Sequence, residues 1–157
     1  MKFRNATKKD VQLIVKMLSA DMLGNTREEF DENLSDDYYK AFEKIKKDSN
    51  QELVVAEDEK GQVIGTMQIS FIQYLTYKGG LRAQIEAVRV REDHRGQGVG
   101  EKMLTWAIDR AKERGAHLVQ LTTDKQRPDA INFYQQIGFK STHEGMKLHL
   151  NTKADKN

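Results

Sequence analysis

Cysteine is missing from this 157-residue sequence, and its absence excludes disulfide scaffolds, thiolate zinc sites and a cysteine nucleophile. An excess of charge of either sign is also lacking, because 32% charged residues leave a net charge of only +2. So small a net charge provides no strong attraction to nucleic acid. No apolar run approaches the length of a signal-peptide core or a membrane span. We therefore expect a soluble cytoplasmic protein with neither a nucleic-acid nor a membrane partner.

The length of the chain favours a single domain. A chain of 157 residues can bury a substantial core, and no internal repeat divides it. The last seven residues are polar and read as a frayed terminus. We predict one domain over residues 1–150, followed by a polar tail over residues 151–157.

Apolar spacing and turn residues predict the order of helices and strands. The expected strands cover residues 3–6, 52–56, 63–69, 84–90, 117–122, 139–142 and 146–150. The expected helices cover residues 7–23, 27–47 with a break near 34–35, 98–114 and 128–136. This order predicts an α/β fold, in which a mixed, mostly antiparallel sheet has one parallel pair and carries helices on both faces.

Residues 95–100, Arg-Gly-Gln-Gly-Val-Gly, lie between the predicted strand 84–90 and an amphipathic helix. Alternating glycines allow the backbone to approach a ligand closely. The first turn of the helix presents unpaired N–H groups at the positive end of its dipole. Arg95 adds a cation at the same place. The pattern predicts a phosphate-binding loop, and the alternative is a tight connection between strand and helix.

Two common phosphate loops do not fit these residues. A dinucleotide fingerprint needs glycine or alanine where this sequence has Glu101 or Met103. A P-loop ends in Gly-Lys-Ser/Thr, which this stretch lacks. The remaining pattern, Gln/Arg-x-x-Gly-x-Gly/Ala, is met by Arg95, Gly98 and Gly100. It resembles the acyl-CoA pyrophosphate loop of the GNAT N-acetyltransferase superfamily.

A second stretch, Asn132-Phe133-Tyr134 with Gly138-Phe139, resembles the later motif of the same family, in which an asparagine and a tyrosine on the last helix face the cofactor. By this resemblance, Asn132 hydrogen-bonds the pantetheine arm and Tyr134 hydrogen-bonds the sulfur. Acetyl transfer from a thioester leaves a thiolate, which a tyrosine hydroxyl within reach can protonate. Tyr134 is therefore the candidate general acid, and the alternative is an ordinary half-buried helix aromatic.

The strand before the loop, residues 85–90, is where members of this family separate neighbouring strands and leave backbone groups free for the pantetheine arm. By resemblance, amides around Val88 and Val90 bind that arm, and one near Val88 polarises the thioester carbonyl. An uninterrupted strand is the alternative. The resemblance implies acetyl-CoA as the acyl donor, bound by Val88, Arg89, Val90, Arg95, Gly96, Gln97, Gly98, Val99, Gly100, Asn132 and Tyr134.

Glu86 lies inside the same apolar strand, where alternation places it on one face with Val88 and Val90. A protonated amine cannot attack a thioester, so the reaction needs a base. A carboxylate that is costly to bury in an apolar strand is a candidate for that role, and Glu86 is thus the candidate general base. The equal alternative is an ion pair with one of the nearby arginines, Arg82, Arg89 and Arg91.

These motifs together predict an acetyl-CoA-dependent N-acetyltransferase that transfers acetyl directly to a primary amine of a small molecule or peptide. A protein lysine or N-terminal acetyltransferase is one alternative, and a non-catalytic CoA-binding regulatory module is another. The four histidines lack metal-ligand spacing, so no metal is expected. Similar proteins are commonly dimers, which makes a homodimer a candidate assembly.

One acidic cluster bears on the acceptor. In this family the corresponding region borders the acceptor side, where negative charge would attract a cationic amine. A solvated helix face explains the same residues equally simply. The cluster comprises Glu28, Glu29, Asp31, Glu32, Asp36 and Asp37.

Overall fold

The computed structural model describes residues 1–20, 28, 30, 31 and 33–150. The chain divides into two compact units, Met1–Leu121 and a second that begins at Thr122. The predicted end of the first helix at residues 21–23, the tail at residues 151–157 and part of the acidic cluster lie outside the described residues. The prediction of one domain over residues 1–150 stays a prediction.

The first unit contains one five-stranded sheet. Its strands are β1 (Lys2–Asn5), β2 (Gln51–Glu57), β3 (Val63–Gln73), β4 (Leu81–Val90) and β5 (Ala116–Leu121). They lie side by side in that order, and each pair is antiparallel except β4 and β5, which are parallel. The predicted mixed, mostly antiparallel sheet with one parallel pair is confirmed.

Helices cover both faces of this sheet. The helices of the first unit are α1 (Val11–Ser19), α2 (Asp36–Lys47), the single turn α3 (Thr76–Gly79) and α4 (Val99–Glu113). Glu52 of β2 binds Arg110 of α4, whereas the next residue, Leu53, packs against the buried Val11 and Phe42 of α1 and α2. Successive side chains of a strand point to opposite faces, so α4 lies on one face and α1 with α2 on the other.

The turn between β2 and β3 forms where the sequence predicts it. The Asp58 carboxylate accepts hydrogen bonds from the N–H groups of Lys60 and Gln62, both at 2.9 Å. These bonds, that of Gln62 first, hold the pKa of Asp58 below its ordinary value. Gly61 completes the turn at a φ of 75°, a conformation that glycine adopts without strain.

The predicted terminal hairpin is wrong. In the described chain, residues 139–150 form no strand, and the second unit contains one helix, α5 (Pro128–Ile137). Met146, Leu148 and Leu150 alternate as in a strand but are 95%, 86% and 73% exposed. Alternation is typical of a strand only where another layer buries one of its faces, and these side chains have no such layer.

The second predicted helix also begins later than expected. Its described part starts at Asp36, because Ser35 caps the helix and its hydroxyl accepts the N–H of Asp37 at 3.3 Å. The side chains of Asp36 and Asp37 are exposed, whereas Glu28 accepts the hydroxyl of Tyr38 at 2.8 Å. The described part of the acidic cluster is therefore mostly solvated.

A buried ion cluster fixes α4 to the sheet. Glu52 is only 8% exposed, and its Oε1 lies 2.7 Å from Nη2 of Arg110 and 3.1 Å from Nη1 of Arg114. Pairing with Glu52 raises the pKa of Arg110. The guanidinium of Arg114 also lies 4.2 Å from the ring centre of Phe71 in β3. These contacts hold the carboxyl-terminal half of α4 against two central strands.

Glu52→Gln should lower the free energy of unfolding by about 1–3 kcal/mol, because it weakens charge-assisted hydrogen bonds to two partly buried arginines. Urea unfolding measures the change. Glu113→Gln is the matched control, since Glu113 binds the same Arg110 at 3.1 Å but is 66% exposed. We expect the control to change stability by about 0.5 kcal/mol or less. Equal losses in the two variants would contradict the assigned role of Glu52.

Candidate functional site

A bulge interrupts β4 at Ala87. The φ of Ala87 is 54°, in the left-handed region that residues other than glycine rarely adopt. Two residues of β4, Ala87 and Val88, consequently lie opposite the single residue Met67 of β3. The extra residue breaks the alternation of the strand, so that Glu86 and Val90 face opposite sides of the sheet. The prediction that they share a face is wrong for this reason.

Pairing between β4 and β5 stops where the bulge begins. The aligned residues are 81–85 of β4 and 116–121 of β5. In the described chain, residues 86–90 have a strand partner only on the β3 side. β5 itself ends at Leu121, so the edge of β4 beyond Ile85 has no second partner strand in the described chain, and the strand separation that the family resemblance implies stays a prediction.

Arginine side chains donate hydrogen bonds to backbone carbonyls of β4 beyond its last pair with β5. Nη1 of Arg89 donates to the carbonyl of Val88 at 2.8 Å, and Nε of Arg95 donates to that of Val90 at 3.1 Å. Carbonyls that accept from side chains can exchange these bonds for those of a bound ligand without breaking the sheet. The strand thus fits an extended, amide-containing chain laid along its edge.

The loop that follows has the conformation that its glycines predict. Gly96 and Gly98 have φ of 71° and 76°, which glycine alone adopts at little cost. Gly98 is the N-cap of α4, and no side chain caps this helix. Arg95 through Gly98 are exposed, whereas Val99 is buried and anchors the start of α4. Gly100 lies in the first turn, so the loop leads an anion to free N–H groups.

Arg91 fixes the entrance of the loop, a role that the sequence analysis did not assign to it. Its backbone N–H donates to Ile64 at 2.8 Å, and its Nη1 donates to the carbonyl of Val63 at 3.2 Å. Its Nε donates to Asp93 at 2.7 Å. Hydrogen bonds from Arg91, and then from His94, hold the pKa of Asp93 well below its usual range. The loop therefore starts from a point fixed on β3.

Glu86 is exposed rather than buried. Its apolar neighbours Ala83 and Ile85 point to the opposite, buried face, so their presence in the sequence says nothing about the face of Glu86. The carboxylate accepts a hydrogen bond from Nε2 of Gln84 at 3.0 Å and forms no ion pair with any described residue. Both the expected burial and the alternative ion pair are thus wrong. An exposed carboxylate directly after the last paired residue of β4 and β5 is accessible to a substrate.

The other two predicted residues lie on α5 in the second unit. Asn132 is exposed, and Tyr134 is half-buried with its ring 5.3 Å from that of Phe133 and 5.9 Å from that of Phe139. Gly138 closes α5 at a φ of 109°, as its position predicts. The packing fixes the Tyr134 ring on its helix, and the roles of Asn132 and Tyr134 stay predictions.

Among the residues that the structure describes, no three His, Asp or Glu side chains lie together as a metal ion would require. None of the described helices is long and apolar enough to cross a membrane. The expected absence of metal and membrane partners stays a prediction.

A mixed sheet with a glycine loop between the two strands of its parallel pair is the architecture of an acetyltransferase domain. The sequence profile of the acetyltransferase (GNAT) family matches residues 19–139, and the chain belongs to that family. One relative is the aminoalkylphosphonate N-acetyltransferase of Salmonella typhimurium, which is 32% identical over 83 residues, or 53% of each chain. This chain spans about half the length of the curated relatives it matches.

Solved structures resemble the chain over nearly its whole length. A transcriptional regulator from Bacillus halodurans C-125 is 52% identical with a TM-score of 0.91, covering 95% of this chain and 99% of its own. A "predicted acetyltransferase with acetyl-CoA" from Clostridium acetobutylicum is 26% identical with a TM-score of 0.71, covering 94% and 95%. The two structures support the same fold under two different functional descriptions.

Gly98→Ala should weaken CoA binding by about tenfold or more, because a methyl group at this exposed backbone would block the approach of a pyrophosphate. Gly61→Ala is a matched control. Gly61 has nearly the same φ, 75° against 76°, and both sites have open space around an added Cβ. Each variant should lose about 1–2 kcal/mol of stability from left-handed strain. Calorimetric titration with CoA should distinguish them, and equal affinities would contradict the phosphate-loop interpretation.

Proposed function

We propose that this chain is an acetyl-CoA-dependent N-acetyltransferase that transfers acetyl directly to a primary amine of a small molecule or peptide. The observation that carries the proposal is the edge of β4 over residues 86–90, which in the described chain has a partner strand only on the β3 side and leads to the loop at residues 95–100. A strand edge that leads to an uncapped helix N-terminus suits an extended ligand with a pyrophosphate at one end. Family membership, and a similar structure described with acetyl-CoA, support the same donor.

The residues divide the binding of this donor between strand and loop. Backbone groups of Val88–Val90 hold the pantetheine arm. The side chains of Arg89 and Arg95 give up their hydrogen bonds to the carbonyls of Val88 and Val90, which then bind this arm. The backbone of Gly96–Gly100 and the guanidinium of Arg95 hold the pyrophosphate. Asn132 adds a hydrogen bond to the arm. Acetyl-CoA, when bound, supplies the acetyl thioester, and the protein supplies position and proton transfer.

Two side chains carry the proton transfers. Glu86 accepts a proton from the ammonium group of the acceptor, which frees the nitrogen lone pair to attack the acetyl carbonyl carbon. A C–N bond forms and the C–S bond breaks. Tyr134 gives its proton to the departing sulfur, and the nitrogen loses its second proton, which restores the Tyr134 hydroxyl by way of solvent, so that a neutral amide and a thiol remain. Because the sequence has no cysteine, transfer to a protein thiol is not an available route.

The accessibility of Glu86 favours a polar amine as acceptor. Its carboxylate is exposed on a face that also carries the half-buried amide side chains of Gln84 and Gln120. Amide and carboxylate side chains bind an amine substrate that forms hydrogen bonds better than they bind an apolar amine. The name of the Salmonella relative makes an aminoalkylphosphonate the first acceptor to test.

A CoA-binding regulatory module is the second candidate function. It is favoured by one observation, the description of the 52% identical Bacillus halodurans structure as a transcriptional regulator. Such a module would bind CoA through the same strand and loop but would transfer nothing.

Thiol release from acetyl-CoA should accelerate in the presence of at least one amine of a panel comprising 1-aminoethylphosphonate, an L-amino acid, spermidine, glucosamine and a lysine peptide. A thiol reagent measures the product directly, because the protein contributes no cysteine to the signal. Release without any acceptor is the control. Tight CoA binding with no turnover on the whole panel would favour the regulatory module instead.

Tyr134→Phe should lower kcat by about a hundredfold while leaving the Kd for CoA within about twofold, since the ring packing is retained and only the proton donor is lost.

Glu86→Gln should lower kcat by about tenfold or more for the panel amine that the wild type acetylates, because the base is lost. Steady-state kinetics at saturating acetyl-CoA measure both. An undiminished kcat in either variant would remove that residue from the proton transfers.

A further inference from the structure

A chain of hydrogen bonds leads from β5 across β4 to Glu86. Nε2 of Gln120 donates to Oε1 of Gln84 at 2.7 Å, and Nε2 of Gln84 donates to Oε1 of Glu86 at 3.0 Å. Gln84 and Gln120 are aligned in the parallel ladder, one residue before its last pair. Gln84 and Glu86 are two residues apart, so they share a face of the sheet. The series of hydrogen bonds therefore ends at Glu86, directly after the last paired residue of β4 and β5.

The chemistry of these groups sets the direction of every bond. An ionised carboxylate only accepts hydrogen bonds, so Gln84 must present its NH₂ group to Glu86 and its oxygen to Gln120. The NH₂ group of Gln120 donates a hydrogen bond to that oxygen. Rotating the amide of Gln84 by half a turn would place two donors face to face and two oxygens face to face. Gln120 thus locks Gln84 in the one orientation that supports an ionised Glu86.

We infer that Gln84, held by Gln120, is a positioning residue that orients the Glu86 carboxylate toward the acceptor. This inference rests on the proposed function for the role of Glu86 as base. Glu86 is exposed and has no ion pair within the described chain, so the amide of Gln84 restricts a side chain that solvent would otherwise leave free to rotate. A base fixed before the acceptor binds saves the entropy of ordering it during the reaction.

A second set of glutamine bonds ends at another carboxylate, that of Asp48, and starts at Gln68, which is aligned with Glu86 but forms no hydrogen bond to it. Nε2 of Gln68 donates to Gln51 at 2.7 Å, and Nε2 of Gln51 donates to Asp48 at 3.0 Å. The pKa of Asp48 lies below its ordinary value because of the N–H of Asn50 and, second, the Gln51 amide. Gln51 donates to Asp48 at the same 3.0 Å as Gln84 donates to Glu86, and therefore offers a control with a matched hydrogen bond.

Kinetics of the variants form the first test, with the panel amine that the wild-type protein acetylates fastest. Gln84→Met keeps the volume of the side chain but no hydrogen bond, and should lower kcat by about tenfold with the KM for acetyl-CoA changed less than about twofold. Gln120→Met should lower kcat by about threefold, and the double variant should be no slower than Gln84→Met. Gln51→Met should keep the wild-type kcat. Additive losses, or an unchanged kcat in Gln84→Met, would overturn the inference.

Side-chain amide signals in ¹H–¹⁵N NMR spectra form a second test that needs no acceptor. Glu86→Ala should shift the NH₂ signals of both Gln84 and Gln120, because the second bond depends on the first, and should leave the Gln51 signal in place. Unmoved signals of Gln84 or Gln120 would overturn the chain of bonds. If no panel amine reacts with the wild type, the proposed function fails together with the role of Glu86 as base, and these spectra still decide whether Gln84 and Gln120 hold the Glu86 carboxylate. A full kcat in Glu86→Gln with a loss in Gln84→Met would overturn the link to Glu86.

Discussion

The left-handed backbone at Ala87 is the constraint on which the candidate site depends. A residue with a side chain at a φ of 54° costs about 1–2 kcal/mol, which the surrounding sheet must offset. In return, one extra residue enters β4 opposite Met67, just beyond Ile85, the last residue of β4 that pairs with β5. The bulge reverses the alternation of β4 after Glu86, so that Val90 and the start of the loop face the side of the sheet opposite to Glu86.

Much of the donor side could be predicted because its signals are local. The glycines at 96 and 98, the helix that follows them and the helix between Pro128 and Gly138 each have a sequence signature for their backbone conformation. The bulge has none, because alanine is not a residue that marks the left-handed region. The family resemblance implied separated strands near this position but no bulge, and the predicted alternation of β4 failed there.

Features that depend on contact between distant segments could not be predicted from the sequence. The terminal hairpin failed because Met146, Leu148 and Leu150 show alternation without any surface to bury it. The alignment of Gln84 with Gln120 requires the register of two strands joined by a long helix, which no local pattern specifies. The proposed donor site therefore consists of backbone geometry that motifs encode, whereas the proposed acceptor site consists of side chains that only the fold brings together.

The attachment of α4 through Glu52 has a consequence for the thermodynamics of ligand capture. The helix is held near its carboxyl-terminal end by Arg110 and Arg114, and its first residue, Val99, is buried. The free N–H groups at its start are thus already oriented before any anion arrives. On the proposed function, ordering on association would be confined to the few exposed residues from Arg95 to Gly98, so that phosphate binding would cost little conformational entropy.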